Sequence, residues 1–163
     1  MDYLLEAVSA EHKKPVVDIF NYYVENSMAA YPDRAVSYDF FQHLLDTAQG
    51  YPFLVATKPD GEVIGFALLH PHQPLSTFSR VAEISYFVAP GHTGKGIGSL
   101  FLERLENEAR GMQISAILAS ISSRNPVSLA FHAKHGFAEC GRFAGIGRKN
   151  NLDFDEVWMQ KKL

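Results

Sequence analysis

A mixed α/β domain organised around one sheet is the fold class that the sequence predicts. Three observations carry it. Apolar runs of strand length recur between stripes of helical period, turn-forming residues separate them, and no linker, repeat or low-complexity tract divides the 163 residues. That length suits one domain, residues 1–163, with a substantial core.

Tyr3–Val8 reads as a first strand. Ser9 then offers an N-cap to a helical run in which Val16, Val17, Ile19, Phe20, Tyr23 and Val24 recur at helical spacing, with Pro15 near its front. A second helical run starts at Ser37, places Phe40, Phe41, Leu44 and Leu45 on one stripe and closes at Gly50. FLVAT (53–57) and EVIGFALL (62–69) flank the turn signal KPDG and predict a β-hairpin. Residues 70–80 read as a proline-containing loop, and VAEISYFVA (81–89) as a nearly continuous apolar strand. A glycine-rich turn then leads into a helix over 99–110, followed by the strand ISAILASI (114–121). Asn125 and Pro126 form a good helix start, with Gly136 placed to end that helix. FAECGRF (137–143) and FDEVWMQKK (154–162) close the domain as strands, giving the order βααβββαβαββ.

The formal charge is −3, whereas a surface gripping nucleic-acid phosphates usually runs basic, so no nucleic-acid partner is expected. The N-terminal residues lack a basic region followed by an apolar run, and no apolar stretch reaches the ~18 residues that a membrane span needs. The single cysteine, Cys140, reads as a small buried residue, cannot form an internal disulfide and suits a reducing compartment; the cytoplasm is the expected location.

Residues 91–98, GHTGKGIG, are the most informative stretch. They follow a strand and open a helix, where backbone N–H groups lack internal partners. Gly94, Gly96 and Gly98 add no side chain that would block a close ligand, and Lys95 adds positive charge. Such a turn suits a phosphate or pyrophosphate at the positive end of a helix dipole; the alternative is a flexible connection whose glycines merely allow a sharp turn. The frame matches neither G-x-x-x-x-G-K-[ST] nor the dinucleotide fingerprint G-x-G-x-x-G.

With this turn on the page, the sequence resembles the GNAT family of N-acetyltransferases. That family's coenzyme-A loop, Q/R-x-x-G-x-G/A, corresponds to Thr93, Gly94, Lys95, Gly96, Ile97 and Gly98, with Thr93 standing where Gln or Arg is usual. A second family segment, asparagine, short helix and Gly-Phe, is met by NPVSLAFHAKHGF (125–137). Within the family, GYPFLVA (50–56), AEISYFVAP (82–90) and GRFAGIGRKN are similar to the phosphinothricin and methionine sulfoximine acetyltransferase branch. The resemblance implies a GNAT acyl-CoA N-acyltransferase fold, with a central mixed, mostly antiparallel sheet flanked by helices. It also implies acetyl-CoA as cosubstrate, a small amino-acid-like amine as acceptor, and admits a homodimer. By the same resemblance Phe87, Val88, residues 93–98, Asn125 and Ser128 contact the cosubstrate, and His72, Arg80 and Lys149 the acceptor. The branch's tryptophan and arginines in the 70–80 region are replaced here by His70, His72 and Gln73, leaving only Arg80.

An amine must be neutral to attack a thioester, so a proton acceptor is required close by. Glu83 is the one acid inside the apolar strand, and alternation puts it on one face with Ser85 and Phe87. Its alternative is a structural carboxylate paired with Arg80 or a backbone amide. His132 stands where the family places a donor to the departing thiolate; packing alone also accounts for a histidine there. A main-chain amide near Phe87 or Val88 is the expected oxyanion donor, by resemblance. No His/Cys/Asp cluster has metal-ligand spacing, and His70 and His72 read as part of a solvated loop. A coenzyme-A sensor without catalysis and a protein N-acetyltransferase are the competing functions.

Overall fold

Two neighbouring parallel strands in the centre of the sheet are joined over three residues and then part. The computed structural model describes residues 2–163. Its strands are β1 (Leu4–Ala7), β2 (Phe53–Thr57), β3 (Val63–Pro71), β4 (Val81–Val88), β5 (Ala116–Ser122), β6 (Ala138–Lys149) and β7 (Leu152–Lys162), in the order β1-β2-β3-β4-β5-β7-β6. All neighbours are antiparallel except β4 and β5. That pair runs in register only from Val81↔Ala116 to Glu83↔Leu118, while β4 continues to Val88 and β5 to Ser122. The result is a wedge with Glu83 at its apex and an open mouth at the C-terminal ends of both strands.

The helices are α1 (Lys13–Asn26), α2 (Phe40–Ala48), α3 (Ile97–Gly111) and α4 (Pro126–Lys134). Each sheet face buries a separate core. Val16, Val17, Phe20 and Val24 of α1 and Phe41 of α2 pack on Val55, Phe66 and Leu68. Phe101, Leu102 and Leu105 of α3 pack with Ile64, Ala67, Ile84, Ile117 and Val157 on the other face. Burial of these apolar faces at ~25 cal/mol per Å² is the main term holding the layers together.

Four expectations change. The second helix begins at Phe40 rather than Ser37, because the carbonyls of Ser37 and Tyr38 accept from Phe40 and Phe41 as a turn. Strand β3 continues through His70 and Pro71, which sets His70 directly opposite Glu83. Strand β6 does not stop at Phe143 but reaches Lys149, its glycines absorbed by register shifts between Glu139 and Gly141 and between Phe143 and Gly147. It joins β7 through Asn150 and Asn151, both at positive φ (52° and 60°), as a two-residue hairpin requires. Cys140 falls in the first shift and is exposed rather than buried, because β6 is an edge strand whose residues mostly face outward. Among the described residues no helix is long and apolar enough to cross a membrane.

Candidate active site

The mouth of the wedge is lined by free backbone donors. Among the described residues no N–H from Thr93 through Ser99 finds a hydrogen-bond acceptor; the first helical bond at this end runs from Leu100 N–H to the Gly96 carbonyl. Gly94 and Gly96 sit at φ 74° and 87°, and a Cβ built on either meets nothing within 4 Å. The amides of Thr93, Gly94, Lys95 and Gly96 thus face open space at the positive end of α3, the arrangement an anionic diphosphate needs. Gly98 differs: its Cβ would lie 3.3 Å from the Phe131 ring, so this glycine lets α3 and α4 approach. Ile97 is buried in the α3 core. Lys95 folds its ammonium onto the Gly91 carbonyl (2.9 Å). Asn125 caps α4, its Oδ1 accepting from the Ser128 N–H (3.2 Å).

On the α3/α4 face of the wedge, Tyr86 and His132 form a pair. His132 is 3% exposed, and its Nδ1–H must donate to the Ser128 carbonyl (2.7 Å), since a carbonyl only accepts. Burial lowers the imidazole pKa, only partly offset by that carbonyl, so the ring is neutral at pH 7. Nε2 therefore accepts from the Tyr86 hydroxyl at 2.5 Å, with the two rings stacked 5.5 Å apart. Burial, then the Glu106 carboxylate, pushes the Tyr86 phenol upward, keeping it protonated. His132 thus reaches the wedge only through Tyr86, a residue that the sequence reading missed. Strand parity could have found it, because Tyr86 shares a face with Ile84 and Val88.

Glu83 projects to the opposite, α1/α2 face, together with His70, Leu68 and Phe66. Its Oε2 accepts from His72 Nδ1 at 2.9 Å and its Oε1 lies 3.9 Å from His70 Nε2. His70 and His72, expected in a solvated loop, are part-buried around this carboxylate. Farther along the same face Tyr31 meets Ser120 (2.8 Å) and Ser120 donates to Glu156 (2.7 Å). Tyr31 stacks on Phe154, and Trp158 lies edge-on to His72.

Two residues expected at the acceptor lie elsewhere. Arg80 is three positions from Glu83, an odd number, and therefore turns to the other face, where it borders a shallow depression with Arg110, Gln113 and Leu163. Glu83 accordingly pairs with histidines and not with Arg80. Lys149 is buried, and its ammonium donates to the carbonyls of Ser27 (2.9 Å) and Ala30 (2.7 Å), tying down the segment that carries Tyr31. The ladder also separates the two oxyanion candidates. Ala89 N–H donates to Ile64 on β3, so by alternation Phe87 N–H faces β3 as well, while Val88 N–H faces the open wedge. The Val88 carbonyl accepts from the Tyr23 hydroxyl.

The acetyltransferase (GNAT) family pattern matches residues 16–137. The chain belongs to the GNAT family. The L-methionine sulfoximine/L-methionine sulfone acetyltransferase of Pseudomonas aeruginosa is 33% identical over 150 residues, covering 91% of this chain and 87% of that protein. A phosphinothricin acetyltransferase from Sinorhizobium meliloti, solved in complex with acetyl-CoA, superposes with a TM-score of 0.93 at 27% identity, over 100% of this chain and 89% of that one. A ribosomal-protein-alanine N-acetyltransferase from Brucella melitensis gives a TM-score of 0.90 at 32% identity, over 98% and 99%. This GNAT protein is an acetyl-CoA-dependent N-acetyltransferase, with a mixed α/β fold as the sequence predicted. Its open glycine turn and unpaired amides fit the diphosphate of the cosubstrate. Among the described residues no group of three or more His, Cys, Asp or Glu side chains is arranged to hold a metal ion.

Proposed function

We propose that this acetyltransferase moves the acetyl group directly onto the primary amine of a small amino-acid-like acceptor. One observation carries the reading: the wedge opens between Glu83 on one sheet face and Tyr86 on the other, so a thioester lying in it meets a basic centre and a thiol-side donor from opposite sides. The names of the relatives support the acceptor class, and the aromatic surround of Tyr31, Phe78 and Trp158 favours a small molecule over a long chain.

The amides of residues 93–98, with Asn125 and Ser128 at the head of α4, hold the cosubstrate. The cluster at Glu83 accepts the amine proton, and the neutral nitrogen attacks the thioester carbonyl. Val88 N–H stabilises the oxyanion. As sulfur departs, the Tyr86 hydroxyl turns its hydrogen from His132 Nε2 towards the thiolate. We place the enzyme in the cytoplasm, supported by its lone unpaired Cys140. Homodimerisation is supported by the outer edge of β6, which exposes Phe143 (54%) and Ile146 (61%) and invites pairing with a second copy. Sedimentation equilibrium of the wild type against Ile146→Lys tests that assembly. The net charge of −3 lends no support to a nucleic-acid partner.

Thiol release from acetyl-CoA, read across amino acids, methionine sulfone and sulfoximine, polyamines and peptides, tests the acceptor. Turnover with the amino-acid-like set is the expected outcome. Turnover confined to peptides or polyamines overturns the acceptor class, and acetyl-CoA binding without any thiol release overturns transfer.

A further inference from the structure

The geometry points to His72, not the Glu83 carboxylate itself, as the group that takes the proton from the acceptor amine, with Glu83 orienting it as a positioning residue. This inference rests on the transfer reading above and concerns which atom receives the proton.

Both Glu83 oxygens are turned towards imidazoles. Oε2 accepts from His72 Nδ1 at 2.9 Å, and Oε1 lies 3.9 Å from His70 Nε2. Because an ionised carboxylate only accepts, the proton of a neutral His72 sits on Nδ1. Its lone pair is then on Nε2, the nitrogen for which the described contacts show no hydrogen-bond partner. A carboxylate behind one ring nitrogen and a free lone pair on the other is the arrangement by which a base is oriented for proton abstraction.

The ring is also held sideways. Phe78 lies edge-on at 5.9 Å and Trp158 at 6.2 Å. Trp158 is the partner of Ser120 across β5 and β7, so its contact with His72, rooted just past the end of β3, spans the face of β4 and β5. His72 lies on the Glu83 face of the sheet, in contact with both Glu83 and Trp158. The charged or titratable groups facing His72 are Glu83 from β4 and His70 from β3; Phe78 and Trp158 are uncharged. His70 cannot take the same part, because its Nδ1 is bonded to the Pro71 carbonyl (3.0 Å) and its free Nε2 points back at Glu83.

The balance is simple. R–NH3+ gives one proton to His72 Nε2, whose imidazolium shares its Nδ1–H with Glu83; the freed amine lone pair forms the C–N bond, the C–S electron pair leaves with the coenzyme-A thiolate, and the second proton of the acylated nitrogen passes to that thiolate, leaving amide and free thiol.

The test compares kcat/KM against pH for wild type, His72→Gln, Glu83→Gln and His70→Gln, using the best acceptor from the thiol-release screen, with acetyl-CoA affinity by calorimetry as the folding control. His72→Gln is expected to lose ~100-fold or more at pH 7 and to lose the acid limb of the profile. Glu83→Gln is expected to lower the rate while keeping the acid limb, because the imidazole that takes the proton is still present. His70→Gln should leave the limb in place. Added imidazole should restore part of the rate to His72→Ala, a readout that survives any loss of packing in the glutamine variant. A wild-type limb in His72→Gln together with its loss in Glu83→Gln overturns the inference and leaves transfer standing. A wild type that binds acetyl-CoA yet acetylates no amine overturns transfer and this assignment with it.

Discussion

The Tyr86 hydroxyl and His132 Nε2 lie 2.5 Å apart, with the far nitrogen of the same imidazole spent on the Ser128 carbonyl. The histidine expected to meet sulfur thus has both ring nitrogens engaged within the protein, one of them by the Tyr86 hydroxyl. Tyr86→Phe should slow the single-turnover rate of thiol release by ~10- to 100-fold while leaving acetyl-CoA affinity unchanged, and His132→Gln should slow it less, since glutamine still offers the phenol an acceptor. An unaltered rate in Tyr86→Phe removes the pair from the chemistry.

Burial holds the His132 pKa below its ordinary value of 6.5, so the folded protein binds fewer protons here than the unfolded chain. The associated stability is fully present above pH 6.5 and is lost as pH falls through that value towards the folded pKa. Urea midpoints measured from pH 7.5 to 5 should fall less steeply for His132→Gln than for wild type.

Gly96 occupies φ 87° with open space before it, so an alanine there meets no clash but does meet backbone strain. Gly96→Ala should cost about 1–2 kcal/mol of stability and weaken acetyl-CoA binding by ~10-fold, as the methyl group enters the diphosphate's approach. Gly50→Ala, at φ 79° and far from the wedge in sequence, should share the stability cost without the affinity change. Amide resonances of residues 93–99 should shift on adding coenzyme A; constant resonances there would show the cradle to be elsewhere.

Lys149 satisfies two carbonyls, Ser27 and Ala30, that precede Tyr31. Lys149→Met should cost about 2 kcal/mol in chemical unfolding and raise KM for the acceptor, because the Tyr31–Ser120 contact depends on that segment. Acetyl-CoA affinity should not change.

A Cβ on Gly147 would lie 2.0 Å from the Phe154 ring, which in turn stacks on Tyr31. Gly147→Ala should destabilise by about 1–3 kcal/mol, and Phe154→Leu in the same chain should recover part of that loss. Strict additivity of the two changes in thermal unfolding would contradict the clash.

The parts of the site that could be read in advance are those whose partners are close in sequence. The free-amide turn at residues 93–98 is one continuous stretch, and Glu83 declared its face by strand alternation. The same alternation, applied to Arg80, would have placed it on the far face, so that signal was available. Lys149 carried no such sign: its carbonyls come from residues about 120 positions earlier, and only packing brings them together. The extent of β6 was hidden by glycines that resemble a loop until Phe154 is seen against Gly147.

The order of apolar runs was enough to predict the α/β class, and the segments at 93–98 and 125–137 carried a resemblance that implied the family and the cosubstrate, because periodicity and motifs are local properties of the chain. Which side chains meet one another at the wedge was decided by the tertiary structure. Docking of α4 against β4 joined His132 to Tyr86, and continuation of β3 past Leu69 brought two histidines onto Glu83. Hydrogen-bond partners far apart in sequence are selected by the packing of whole layers, and no local pattern encodes that selection.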